Sequence, residues 1–143
     1  MVRPPIAYSD AALAKELAIG QYTQGARFIN GASAVADFGT FEAALEKGFY
    51  TSGQDADRTN PDNPNILSTQ VKYTGVVTKG IVDEYFSEGG LVNGHTELGI
   101  ADGVVGAIYI TDDGTNPRNE AILTDEMIVI LRELADKIKN GEI

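Results

Sequence analysis

A chain of 143 residues, 43% of them hydrophobic and 22% charged, is long enough for one folded unit with a real core. Its net charge of −10 is carried almost wholly after residue 50, and it opposes nonspecific binding to nucleic acid or to an anionic membrane. The lack of cysteine excludes disulfides, thiolate nucleophiles and zinc–cysteine sites.

In chain order, "MVRPPIAY" predicts an extended arm over residues 1–8, because Pro4 and Pro5 forbid helix there. No apolar run in this region is long enough for a signal peptide or a membrane span, so neither export nor membrane binding is expected. Ser9 then precedes "DAALAKELAIG", a short helix with Ser9 as N-cap, Leu13 and Leu17 on its apolar face, and Gly20 as its stop. Tyr22 to Ile29 suits a strand interrupted by Gly25. "ADFGTFEAALEKGFY" predicts a second short helix, capped by Asp37 or Thr40 and closed by Gly48. Phe41, Ala44 and Leu45 form its apolar face.

Residues 51–65, "TSGQDADRTNPDNPN", read as a long polar loop rich in Asp, Asn and Pro. Beyond it, Val71, Tyr73 and Val77 alternate with polar residues. This predicts a half-exposed strand, turned by Lys79-Gly80 into a second strand from Ile81 to Phe86. The glycine-punctuated stretch 87–103 suits turns with one short strand, "VVGAIYITDD" reads as a buried strand, and "EAIL" as a short one. The final helix is the best-marked element. Thr124 is its N-cap, Asp125 and Glu126 complement its positive start, and Asn140-Gly141 stops it. Met127, Ile130, Leu131, Leu134 and Ile138 recur at helical spacing. The run from Met127 to Leu131 is apolar all round, which either a core position or a subunit interface explains.

The fold class expected is therefore α+β: an antiparallel, strand-rich middle, two short N-terminal helices and one C-terminal amphipathic helix. Residues 9–143 form a single domain behind the arm.

Chemistry is thinly marked. Asp55, Asp57 and Thr59 match the first ligand positions of a calcium loop, but Asn60 stands where the sharp turn needs Gly, and Ile66 stands where a bidentate Glu belongs. Asp55, Asp57 and Asp62 are thus weak metal candidates. An exposed loop explains them without a metal, and no cofactor is expected. His95, the sole histidine, lies in a Gly/Asn turn, and no serine lies in a G-x-S-x-G context, so no catalytic residue is assigned. Asp83 and Glu84, neighbours on an expected strand, point to opposite faces and cannot act together, the pairs 112–113 and 125–126 have structural reasons, and no glycine pattern forms a phosphate cradle.

By elimination the chain reads as a non-enzymatic assembly protein. "MVRPPIAYSD", "FGTFEAALEKGFYTSG" and "VKYTGVVTKGIV", with the acidic, cysteine-free composition, resemble small structural accessory proteins of tailed-phage particles, namely capsid decoration, cement or fibre-base subunits. The resemblance implies self-association, for instance as a trimer, attachment to a capsid lattice, and a place in the virion after assembly in the host cytoplasm. Ile6 and Tyr8 of the arm and Met127 and Ile128 of the last helix would be the partner-binding residues. The alternatives are a calcium- or glycan-binding module using the 51–65 loop with Tyr50 and Tyr73, and a small hydrolase or lyase using His95.

Overall fold

The computed structural model describes residues 8–90 and 94–143. The chain runs through helix α1 (Ala11–Thr23), strand β1 (Phe28–Asn30), helix α2 (Asp37–Lys47), strands β2 (Tyr50–Asp55) and β3 (Ile66–Lys72), helix α3 (Thr74–Glu88), strand β4 (Val105–Ala107) and helix α4 (Asp125–Lys139). The strands form one sheet in the order β1-β2-β3-β4. The first three are parallel, and β4 pairs antiparallel with β3. The α+β composition agrees with the sequence reading; its antiparallel middle is corrected to a mostly parallel sheet.

Three corrections follow. Residues 74–88 are one helix and not two strands. Their Val and Thr content mimics a strand, but Lys79 and Asp83 pair one turn apart, Thr78 Oγ1 donates to Thr74 O (2.8 Å), and Gly89 ends the helix at φ 73°. Residues 51–55 belong to β2 and not to the loop, which shrinks to 56–65. β2 escapes notice because its side chains are small and polar: Thr51 and Ser52 are buried, and Thr51 Oγ1 donates to Ile29 O at 2.7 Å. Gly20 does not stop α1, which continues to Thr23 and is capped by Asp10, whose Oδ1 accepts from Leu13 N at 3.0 Å.

α1 and α2 pack against each other and against one face of β1 and β2. Ala18, Ile29, Ala43, Ala44 and Phe49 form that core, with Tyr22 stacked at 5.6 Å from the Phe49 ring. The buried face of α1 is its alanine face, while Leu13 and Leu17 are exposed. A second cluster joins Val71, Ile108, Tyr109 and Ile128, seating α4 beside β3. The capping expected of α4 is observed, with Met127 N donating to Thr124 Oγ1 at 3.3 Å.

Two parallel neighbours, β2 and β3, are joined by ten residues without a helix, which is short for a parallel connection. Asparagines hold that crossing down. Asn63 and Asn65 donate their amides to the Phe41 and Ala44 carbonyls of α2 (both 2.8 Å), and Asn119 donates to Pro64 O at 2.9 Å. Two of these bonds tie loop side chains to α2, and the third pairs the loop's own Pro64 carbonyl.

Candidate functional site

Parallel strands point the same way, so the carboxyl ends of β1, β2 and β3 lie along one edge, with β1 ending opposite Ser52, β3 ending at Lys72 and the 31–36 and 56–58 segments leaving β1 and β2. In open sheets of this kind ligands bind outside the carboxyl ends of the strands. The edge is polar and bonded across the strands. Ser52 Oγ donates to Asn30 Oδ1, which also accepts from Gln70 Nε2 at 3.3 Å. Lys72 Nζ lies 2.8 Å from Asp55 Oδ1. Both side chains are about half exposed, so the pair contributes little to stability.

Of the three non-glycine residues with positive φ among the described residues, two stand at the same edge and the third, Tyr109 (φ 72°), follows β4. Ala34 (φ 52°) and Asp55 (φ 70°) are non-glycine residues in the left-handed region, one after β1 and one at the end of β2. Such residues cost about 1–3 kcal/mol each and concentrate where a structure holds a ligand.

A cavity of about 520 Å³ opens beside this edge, between β3–β4 and α4. Its walls are apolar, from Ile100, Val105, Ile110, Leu131 and Leu134, while Gln54, Asp55, Gln70 and Lys72 supply its polar groups. An apolar chamber of this size with a few convergent polar groups is the usual form of a small-molecule site. A smaller cavity of about 210 Å³ lies by the β1 end, lined by Asn30, Gly31, Ser33 and Asp37 with residues of α1.

The loop aspartates separate into different roles. Asp57 is a structural acceptor: Oδ1 takes Thr59 N (2.9 Å) and Oγ1 (2.6 Å), and Oδ2 takes Thr115 N (3.2 Å) and Oγ1 (3.0 Å). Burial pushes its carboxyl up, but these four bonds outweigh burial and hold it below the usual carboxylate range. Asp62 is exposed, its own N–H donating to Asn60 Oδ1. Among the described residues, no group of three or more His, Asp or Glu side chains could hold a metal ion.

Asp57→Ala is therefore expected to destabilise the fold by about 1–3 kcal/mol, since four donors lose a charged acceptor. The depressed folded value fixes the sign with pH. The stabilisation by Asp57 is present above the unfolded carboxylate value and is lost as pH falls through the folded one. Urea unfolding of wild type and Asp57→Ala should converge in acid and diverge at neutral pH.

Of the other sequence candidates, Tyr73 stands at this edge, directly after β3, where it lines a cavity of about 330 Å³ with Asp55, Asp57 and Lys72, and the rest do not meet there. Ile6 lies outside the described residues. Tyr8 is exposed, its carbonyl accepting from Ala36 N at 3.2 Å. Met127 is half exposed on α4, whereas Ile128 is buried in the second core cluster. Tyr73 donates its hydroxyl to Asp112 (2.8 Å); burial and that carboxylate push its ionisation up to about 12. His95 is exposed, 3.5 Å from Glu97. The sequence reading missed Asn30, Gln70 and Lys72 and took Asp37 only as a helix cap. The signal that could have found them is "FINGAS" running into "ADFGTFEAAL": a short strand, a Gly/Ser turn and a helix, which is the opening of a parallel unit.

The fold defines the class: an α+β unit whose mostly parallel sheet gathers its strand ends into one polar edge. Residues 7–143 match the family model of the Bmp proteins, ABC transporter substrate-binding protein PnrA-like, and the chain belongs to that family. Basic membrane protein B of Borreliella afzelii (strain PKo) is 29% identical over 106 residues, covering 69% of this chain and 30% of that protein. Among solved structures, a transcriptional activator of the comK gene from Bacillus halodurans superimposes with a TM-score of 0.78 at 18% identity, over 95% of this chain and 44% of that one. A solute-binding protein of an ABC transporter system from Aeropyrum pernix K1 gives 0.75 at 22% identity with the same coverages. These likenesses show the fold, and the chain spans less than half the length of these relatives.

Family membership overturns the phage reading. The resemblance to capsid decoration and cement subunits, the virion location, the capsid-lattice partner and the assembly role, with its calcium, glycan and hydrolase alternatives, are all replaced. Val/Thr/Gly-rich stretches and an acidic, cysteine-free composition belong to no single class, which is why they misled. The expectation of a non-enzymatic protein agrees with a family of substrate-binding proteins.

Proposed function

We propose that this chain captures a small solute for an ABC importer, at the carboxyl edge of β1, β2 and β3 and in the apolar cavity beside it. The solute has a polar rim, met by Gln54, Asp55, Gln70 and Lys72, and an apolar face that enters the cavity between the sheet and α4. The protein partner is then a membrane permease, met on the side of the membrane from which the solute arrives. The observation that carries this reading is the placement of the exposed Lys72–Asp55 pair and strained Asp55 at the mouth of the cavity. An exposed pair that adds little stability, built on strained backbone, has its explanation in a ligand.

The test is a thermal-shift screen against sugars, amino acids, nucleosides and small carboxylates. At least one class should raise the melting temperature of wild type by several degrees. Lys72→Ala should weaken the same solute about 10–100-fold while leaving the unliganded melting temperature nearly unchanged. Solute binding that is indifferent to Lys72→Ala and Asp55→Ala would remove the edge from the reading.

A further inference from the structure

We propose that Asp37 is a charge-dependent latch on the 31–36 turn: ionised, its carboxylate holds that turn in shape at the strand edge, and protonation loosens it. The role at a solute site rests on the functional reading above; the latch itself rests on the geometry and charges around Asp37.

Asp37 opens α2, yet its side chain is almost completely buried, at 3% exposure. Its Oδ1 accepts from Ser33 N at 2.8 Å, closing the turn from its far end. The carboxylate lies tight over Gly31, where a Cβ would stand 2.9 Å from the carboxyl carbon, 3.0 Å from Oδ2 and 3.0 Å from Ser52 O. Gly31 N in turn donates to Ser52 O at 3.0 Å, tying the start of the turn to β2. Between these two anchors stands Ala34 in its left-handed conformation. A short turn with a strained alanine holds its shape only where its surroundings determine it, and here the charged acceptor shares that task with Ala36 N, which donates to Ser33 O (3.0 Å) and Tyr8 O (3.2 Å).

The charged groups acting on Asp37 come from the end of β2 and the segment after it. Arg58 favours the ionised form, and Asp55 opposes it. Arg58 is itself placed at the edge, its guanidinium 5.5 Å from the Phe38 ring centroid, so the latch and the edge share a charge. Burial is the largest influence on Asp37 and pushes its carboxyl above the ordinary range, partly opposed by the N–H donors of Ser33 and Ala32 and by Arg58. The buried group therefore titrates nearer to neutrality than a solvated aspartate does.

The test follows amide hydrogen exchange of Ser33 by NMR on the whole chain, from pH 4 to 8, after correction for intrinsic exchange. In wild type, protection of Ser33 should fall about tenfold as Asp37 protonates, the loss expected when a charge-assisted bond becomes a neutral one. Asp37→Asn keeps the shape and one acceptor oxygen, so it should fold and show reduced protection at every pH without the titration step. Asp37→Ala should leave Ser33 unprotected; should that variant fail to fold, the comparison of wild type with Asp37→Asn decides. Coincident pH profiles for wild type and Asp37→Asn would overturn the latch, as would a Ser33 amide unprotected in neutral wild type. Failure of every solute to bind would overturn the functional reading, not the latch.

Discussion

Gly39→Ala is expected to be the most damaging single methyl in this protein. α1 and α2 meet at Gly39, where an added Cβ would collide with the Ala11 carbonyl oxygen, stand 2.7 Å from its carbon and 3.0 Å from Lys15 N. These are backbone atoms of a helix, so no side chain can swing aside. Relief requires α1 to move away from α2, which opens the core shared by Ala18, Ala43, Ala44 and Phe49. Overpacking of a close core contact costs typically about 1–3 kcal/mol and more where backbone must shift. In a fold stable by about 5–15 kcal/mol that is a large fraction. Urea unfolding should show a lower midpoint with an unchanged slope. A wild-type midpoint would mean that the helices do not approach as described.

The second large effect is Phe49→Ala. Phe49 is fully buried between Tyr22 of α1, the alanines of α2 and Ile29 of β1. Truncation removes that burial and leaves a cavity, and the expected loss is about 3–5 kcal/mol. Calorimetry should show a melting temperature lower by well over ten degrees, or no cooperative transition. Leu45→Ala, on the exposed face of α2, serves as the control and should stay within about 0.5 kcal/mol.

Different residues of the sequence announce their structure to different degrees. α4 was legible because its ends carry chemistry: Thr124 caps one end, and Asn140-Gly141 closes the other. α2 was legible through Phe41, Ala44 and the left-handed Gly48, although Leu45 faces solvent. The parallel sheet was not. Its central strand β2 is "YTSGQD", with no apolar alternation, because Thr51 and Ser52 satisfy their hydroxyls inside the fold. β-branched residues in α3 supplied false alternation, since local preference for strand is weak against tertiary context. The site was hidden for a related reason. Asn30, Gln70 and Lys72 are single polar residues at strand ends, far apart in sequence, and only parallel pairing brings them to one edge. Asp37 was legible as a residue at a helix start, but its bond runs backward to Ser33, holding a turn as well as opening a helix.

A solute bound at the carboxyl edge of β1, β2 and β3 would perturb that edge before any other part of the molecule. The most direct measurement is a two-dimensional ¹⁵N NMR titration of the labelled chain with the solute that most raises its melting temperature. The account predicts that the largest amide shifts fall in residues 30–37, 54–58 and 70–72 and in the cavity wall around Val105 and Leu134, and that Lys72→Ala suppresses them. Shifts centred instead on α3, or on the exposed face of α1, with the strand edge unmoved, would contradict it.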